Sequence, residues 1–110
     1  MRRLFLGLAA AVAITGVAQA QCDTRFALVN NSGVTIREFY FGSSAQPNWG
    51  ADQLGQNVLP HGATMNFSTR HAGLNDFRVV WANGEHAQLM QVNICSTSAI
   101  VATPRGIEAR

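Results

Sequence analysis

Cys22 and Cys95 are the only thiols in this chain of 110 residues. They offer two chemistries, a structural disulfide or a redox couple. A redox couple wants C-x-x-C spacing and a cationic neighbour that lowers a thiol pKa. Here the spacing is absent and only Arg25 lies near in sequence. An even pair in a small exported domain therefore predicts one Cys22–Cys95 bridge. Lipidation of Cys22 is the minor reading, because Gln21 and not a small residue precedes it.

Side-chain oxygens form the second grouping. Asn48, Asp52 and Gln53 sit in a loop whose carbonyls could join them around Ca²⁺. A hard cation takes six to eight oxygens, usually with several carboxylates. Asp52 is one carboxylate, so no metal site is assigned, and Asn48 and Asp52 stand as weak candidates. The competing reading has Trp49 plugging one end of the fold and Asp52 capping a turn.

His61, His71 and His86 form the third grouping. Zn²⁺ or Cu²⁺ needs three or four converging ligands. These histidines lack H-x-H or H-x₃-H spacing, and isolated surface histidines are the simpler reading. No G-x-S-x-G, H-E-x-x-H or P-loop occurs, and Ser43 and Ser44 have no evident base. No catalytic residue is assigned. The lack of Lys removes the usual Schiff-base nucleophile as well.

What must position these residues begins with an address. Arg2 and Arg3 precede an apolar run from Leu4 to Val17, which ends on Ala18-Gln19-Ala20. This order is that of a cleaved secretory signal, and the run is too short for a membrane span. Residues 1–20 are read as signal peptide, cut between Ala20 and Gln21. Arg2-Arg3-Leu4-Phe5-Leu6 also matches the heart of a twin-arginine signal. The pair follows Met1 directly, however, which favours the general secretory route. The expected location is periplasmic or secreted, with no membrane insertion after cleavage. Removing Arg2 and Arg3 from eight basic residues leaves six against six acids, so the mature chain is formally neutral. Neutrality removes any electrostatic drive toward nucleic acid.

The remaining chain reads as strands. Arg25–Val29 and Val34–Phe41 are apolar or β-branched segments around the turn formers Asn30-Asn31-Ser32-Gly33, which predicts a hairpin. The alternation slips at Arg37-Glu38, which predicts a bulge. Gly42–Gly55 is a long loop, Asn57–Leu59 a brief strand, and Pro60-His61-Gly62 a turn. Ala63–Ser68 alternates with Met65 and Phe67 on one face. Phe77–Ala82 leads through Asn83-Gly84 into a return strand over 85–95, the clearest hairpin signal in the chain. Its phase changes between Leu89 and Met90, which predicts a second bulge with Met90, Val92 and Ile94 on one face. Ala99–Thr103 is a last strand, and 104–110 is expected to fray as a flexible tail. The sum is an all-β, small antiparallel sandwich, Ig-like or related, of six to seven strands over 21–103.

Several blocks resemble one family of small exported bacterial all-β proteins. They are Val29-Asn30-Asn31-Ser32-Gly33-Val34-Thr35-Ile36, Trp49-Gly50-Ala51-Asp52-Gln53-Leu54-Gly55, Val58-Leu59-Pro60-His61-Gly62, Phe77–Gly84 and Val92-Asn93-Ile94-Cys95. The resemblance implies an all-β domain without an established activity. Some members carry an argininosuccinate lyase label, which nothing in these residues supports. Relatives are more acidic around the W-G-x-D block, where this chain has Asn48.

Function is read accordingly. The first expectation is a non-catalytic binding or structural module that meets an unidentified protein partner. An exposed strand edge, or an aromatic such as Tyr40, would provide the contact. The alternative is a Ca²⁺-type module centred on Asn48–Gly55, and the third a small hydrolase. No cofactor is implied beyond that Ca²⁺ possibility.

Overall fold

The computed structural model describes residues 22–110, and the expected signal segment with its Ala20–Gln21 cleavage lies outside them. Seven strands follow in order: β1 (Arg25–Asn30), β2 (Ile36–Ser43), β3 (Thr64–Ser68), β4 (Leu74–Trp81), β5 (His86–Asn93), β6 (Ala99–Thr103) and β7 (Gly106–Ala109). One 3₁₀ turn, Ile94–Ser96, joins β5 to β6. The strands make two sheets, β3-β1-β6-β7 and β2-β4-β5. The sandwich is the expected all-β fold, with one parallel pair, β1 beside β6, in the larger sheet.

Why the sheets pack is written in the phenylalanines. Phe26, Phe39, Phe41, Phe67 and Phe77 meet in one cluster, with Phe26 5.1 Å from Phe41 and 5.4 Å from Phe77. Phe26 and Phe67 come from the four-stranded sheet, the other three from its partner. Leu28, Ile36, Val79, Ile94 and Ile100 complete the core around them.

The first two strands are not a hairpin. β1 and β2 lie in different sheets, and Asn31–Thr35 carries the chain across the sandwich. Both strands have an apolar face, and here those faces bury against each other rather than lying side by side. Turn residues predict a reversal but do not say whether the strands then pair or pack.

Both bulges are present. The β2–β4 register shifts between Ile36 and Glu38, which puts Ile36, Phe39 and Phe41 all inward. The β4–β5 register shifts opposite Asp76, where Gln91 takes φ +58°. The second bulge corrects the expected phase of Met90. Leu89 and Val92 pack on the core, while Met90 is turned out and half exposed.

Three further expectations are corrected. Residues 104–110 do not fray: Gly106–Ala109 pairs antiparallel with β6 after a tight turn at Pro104-Arg105. Arg110 extends the ladder, donating its N–H to Ala99 O at 2.8 Å. Backbone bonds and Ile107, packed on the core, suffice there, so low apolar content is a poor guide. Asn57–Leu59 is no strand but one bridge, Leu59 opposite Ile36. Finally, Trp49 is only half buried and stands outside the core; Leu54 is the residue of that loop that plugs it.

Cys22 and Cys95 form the expected disulfide, with Cα atoms 5.4 Å apart. The bridge ties the lead-in to β1 to the 3₁₀ turn after β5, and so one sheet to the other.

Candidate functional site

Three of the sequence motifs converge at one end of the sandwich. Asn30, fully buried, donates through Nδ2 to Val34 O (2.9 Å) and Leu59 O (2.8 Å). Its Oδ1 accepts from Ser32 N–H at 3.1 Å and Ser32 Oγ at 2.6 Å. Ser32 Oγ accepts from the Trp81 indole at 2.8 Å, and His61 Nδ1 accepts from Gly33 N–H at 3.0 Å. The V-N-N-S-G block is thus a polar clamp that joins the crossover, the Pro60–Gly62 turn and the end of β4. A buried amide with four partners specifies that junction. Asn30→Asp removes the Nδ2 donor and leaves the Leu59 carbonyl, buried, and the Val34 carbonyl, partly buried, facing a carboxylate. It is expected to cost at least about 2 kcal/mol in urea unfolding; an unchanged midpoint would contradict the clamp.

The loop proposed for Ca²⁺ does something else with its carboxylate. Asp52 Oδ1 accepts Phe39 N–H and Leu54 N–H, each at 2.9 Å. Gln53 N–H donates to Phe39 O at 2.7 Å, and Leu59 and Ile36 exchange two bonds at 2.9 Å. The loop therefore covers the outer edge of β2, with Asp52 standing in for a missing strand. Asn48 has different surroundings. It lines a depression of about 140 Å³ with Pro47, Trp49, Asp76, Gln88 and Met90. The structure does not gather Asn48 and Asp52 on one point.

The histidines also stay apart in role. His61 caps the clamp, the His71 carbonyl accepts from the buried Asn75 amide at 2.8 Å, and exposed His86 opens β5. Among the described residues no three His, Cys, Asp or Glu side chains are grouped as a metal would need.

The outer face of β2-β4-β5 carries the polar chemistry that remains. Tyr40 donates its hydroxyl to Glu38 Oε1 at 2.5 Å, and Arg78 Nη1 donates to Gln88 Oε1 at 2.9 Å. The Tyr40 hydrogen bond holds the Glu38 carboxyl below its ordinary range, with lesser help from Arg37. The same bond to a carboxylate pushes the Tyr40 phenol above its ordinary 10.0. Tyr40 is the one tyrosine of the chain, so phenolate absorbance reports it alone. Its titration midpoint is expected above 10.0, returning toward 10.0 in Glu38→Gln. The sign for stability follows: a raised phenol pKa stabilises the fold below 10.0, and that contribution is lost as pH rises through the folded value. A wild-type midpoint at or below 10.0 would remove the Glu38–Tyr40 contact.

Asp76 is a residue that sequence reasoning passed over. Its Oδ1 accepts Ser44 Oγ at 2.6 Å and the Gln91 N–H at 2.8 Å, pinning the β5 bulge. Asn75 does the same for the 69–73 turn, bonding Thr69 Oγ1 and the His71 and Gly73 carbonyls. Both lie in the start of β4, before the apolar run Phe77–Ala82 by which the sequence shows this strand, and only the bulge signal at Leu89-Met90 hints at a partner for Asp76.

The four sheet edges differ sharply. That of β2 is covered by the loop described above. β5 is broken by its bulge and lies against β7, with Gly106 beside Ala87. β7 has four residues and carries the Glu108–Arg110 ion pair at 3.1 Å. β3 alone has no charge, proline, glycine or bulge in its sequence T-M-N-F-S. These are the devices by which natural edges resist pairing, and β3 lacks them.

Hydrogen bonds at its two ends fix which way the β3 backbone faces. Asn30 N–H donates to Ala63 O at 3.0 Å, and Thr69 N–H donates to Thr24 O at 3.2 Å. Alternation between them turns the Met65 and Phe67 amides to β1. The N–H and C=O groups of Thr64, Asn66 and Ser68 therefore point away from the sheet. Met65 and Phe67 send side chains to the core yet stay partly exposed, with no strand beyond them among the described residues. A separate open trough of about 640 Å³ spans β3 and β1, lined by Arg25, Ala27, Asn66, Ser68 and Ser98 with others.

No family model, no curated protein and no solved structure matches this chain.

Proposed function

We propose that the mature chain is an exported, non-catalytic binding module that takes a protein partner by strand addition at β3. One observation carries this reading: β3 is a bare edge on a molecule whose other edges are covered, bulged or charged. Strand addition draws affinity from main-chain hydrogen bonds and specificity from alternate side chains. Here the three outward backbone pairs supply the first, and partly exposed Met65 and Phe67 the second. The signal-like N-terminus and the disulfide support a periplasmic or secreted site of action, where such a bridge persists. The motif resemblance to small exported all-β proteins points the same way.

The test uses Asn66→Pro. Proline at 66 removes an N–H that faces the free edge and leaves the β1 ladder bonds of residues 65 and 67 in place. Crosslinking of the exported protein in periplasmic extract is expected to trap a specific partner. Asn66→Pro should lose it while the melting temperature stays within a few degrees. Equal capture by the variant, or no specific partner at all, would overturn the reading.

A further inference from the structure

We infer that the strand received by β3 is the β3 of a second copy, which rests on the strand-addition reading above. The sequence Thr64-Met65-Asn66-Phe67-Ser68 is close to a palindrome in chemical character. Turned antiparallel on itself about Asn66, it places Thr64 opposite the partner's Ser68, Met65 opposite the partner's Phe67, and Asn66 opposite its own copy. Two hydroxyls can then share a hydrogen bond, and two side-chain amides can exchange one. Met65 sulfur meets an aromatic ring, a favourable contact, and both side chains sit on the core side of the sheet.

Backbone direction selects the same register. The outward N–H and C=O groups belong to residues 64, 66 and 68, as set by the bonds of Asn30 and Thr69 to their neighbours. A twofold axis through Asn66 pairs those three residues with each other as hydrogen-bonded pairs. Residues 65 and 67 fall at the non-hydrogen-bonded pairs, where side chains approach most closely. A shift by one residue would set outward-facing groups against inward-facing ones and lose the bonds. Charge does not oppose the contact either, since β3 is uncharged and residues 21–110 are formally neutral. The product is one continuous sheet of eight strands across two sandwiches. With five residues from each chain, the dimer should be weak, with a dissociation constant on the order of micromolar or above.

Sedimentation of the disulfide-bonded mature protein over a concentration series tests this, with three variants at Asn66, whose side chain is exposed and outside the core. Wild type is expected to dimerise reversibly, and the Thr64, Asn66 and Ser68 amides to gain hydrogen-exchange protection as concentration rises. Asn66→Pro should be monomeric. Asn66→Asp and Asn66→Lys each set like charges directly opposite and should weaken self-association by about five-fold at low salt. An equimolar mixture of the two should recover it, because opposite charges then face each other. A wild type that stays monomeric to millimolar concentration overturns the inference. So does a dimer indifferent to these variants. If capture of another protein still depends on Asn66 in either case, strand addition stands and only the self-pairing falls; if it does not, both fall.

Discussion

Replacing Cys22 and Cys95 together by serine lowers the unfolding free energy by about 4 kcal/mol. The bridge closes a loop between residues 73 apart and holds the lead-in of β1 to the turn after β5. Without it the unfolded chain regains the freedom that this closure removes. The native contacts of the strands are untouched, so the effect should appear as a lower urea midpoint and an unchanged near-ultraviolet spectrum at zero denaturant. Domains of this size hold only about 5–15 kcal/mol in all, which makes the bridge a large share. An unaltered midpoint would mean that the reduced chain is already confined. If the chain is exported as proposed, folding without the bridge is compatible with the twin-arginine route, in which folding comes first.

Phe39→Ala is expected to cost about 3–5 kcal/mol. Phe39 is fully buried, and its ring stands 5.2 Å from Phe67 and 5.4 Å from Phe41. Truncation removes apolar surface and leaves a cavity between two sheets whose backbones cannot collapse into it. Phe39→Leu fills most of that space and should cost less than about 1.5 kcal/mol. Urea unfolding of both variants checks the order, and equal costs would show that the cluster is loosely packed. Combined with the double serine variant, Phe39→Ala should leave little folded protein at 37 °C. The two sites act on different states, one on the unfolded chain and one on the core, so their costs should add.

How much of this was legible beforehand varies by element. Short-range features were: the strand cores, the Asn83-Gly84 hairpin, the Pro60–Gly62 turn and both bulges are stated by alternation and turn residues. Asp52 was half legible. Its turn-capping role at Leu54 is local and legible, but its bond to Phe39 spans 13 residues. Asn30 reads as a turn former, which it is through Ser32, while its bond to Leu59 spans 29 residues. Trp49 and Leu54 exchanged places as the plug because residue size does not tell which side chain of a loop reaches the core. The strand within 104–110 is not legible, because a strand held by backbone bonds has little signature in its side chains.

The β3 edge shows the same division. Its lack of charge, proline and glycine was visible in Thr64–Ser68, yet it meant nothing until the other edges were seen to be covered. By itself the sequence determined what depends on neighbours along the chain: an all-β domain, formally neutral over residues 21–110, with a signal-like N-terminus before it and two thiols fit for a bridge. The tertiary structure alone decided what depends on distant partners. Among the described residues it put β1 and β2 in different sheets, made Asn30 and Asp52 fasteners of distant backbone groups, and left the β3 edge without a neighbouring strand. The physical reason is that alternation and turns act over a few residues, whereas sheet order follows from which apolar faces bury each other best across the whole chain.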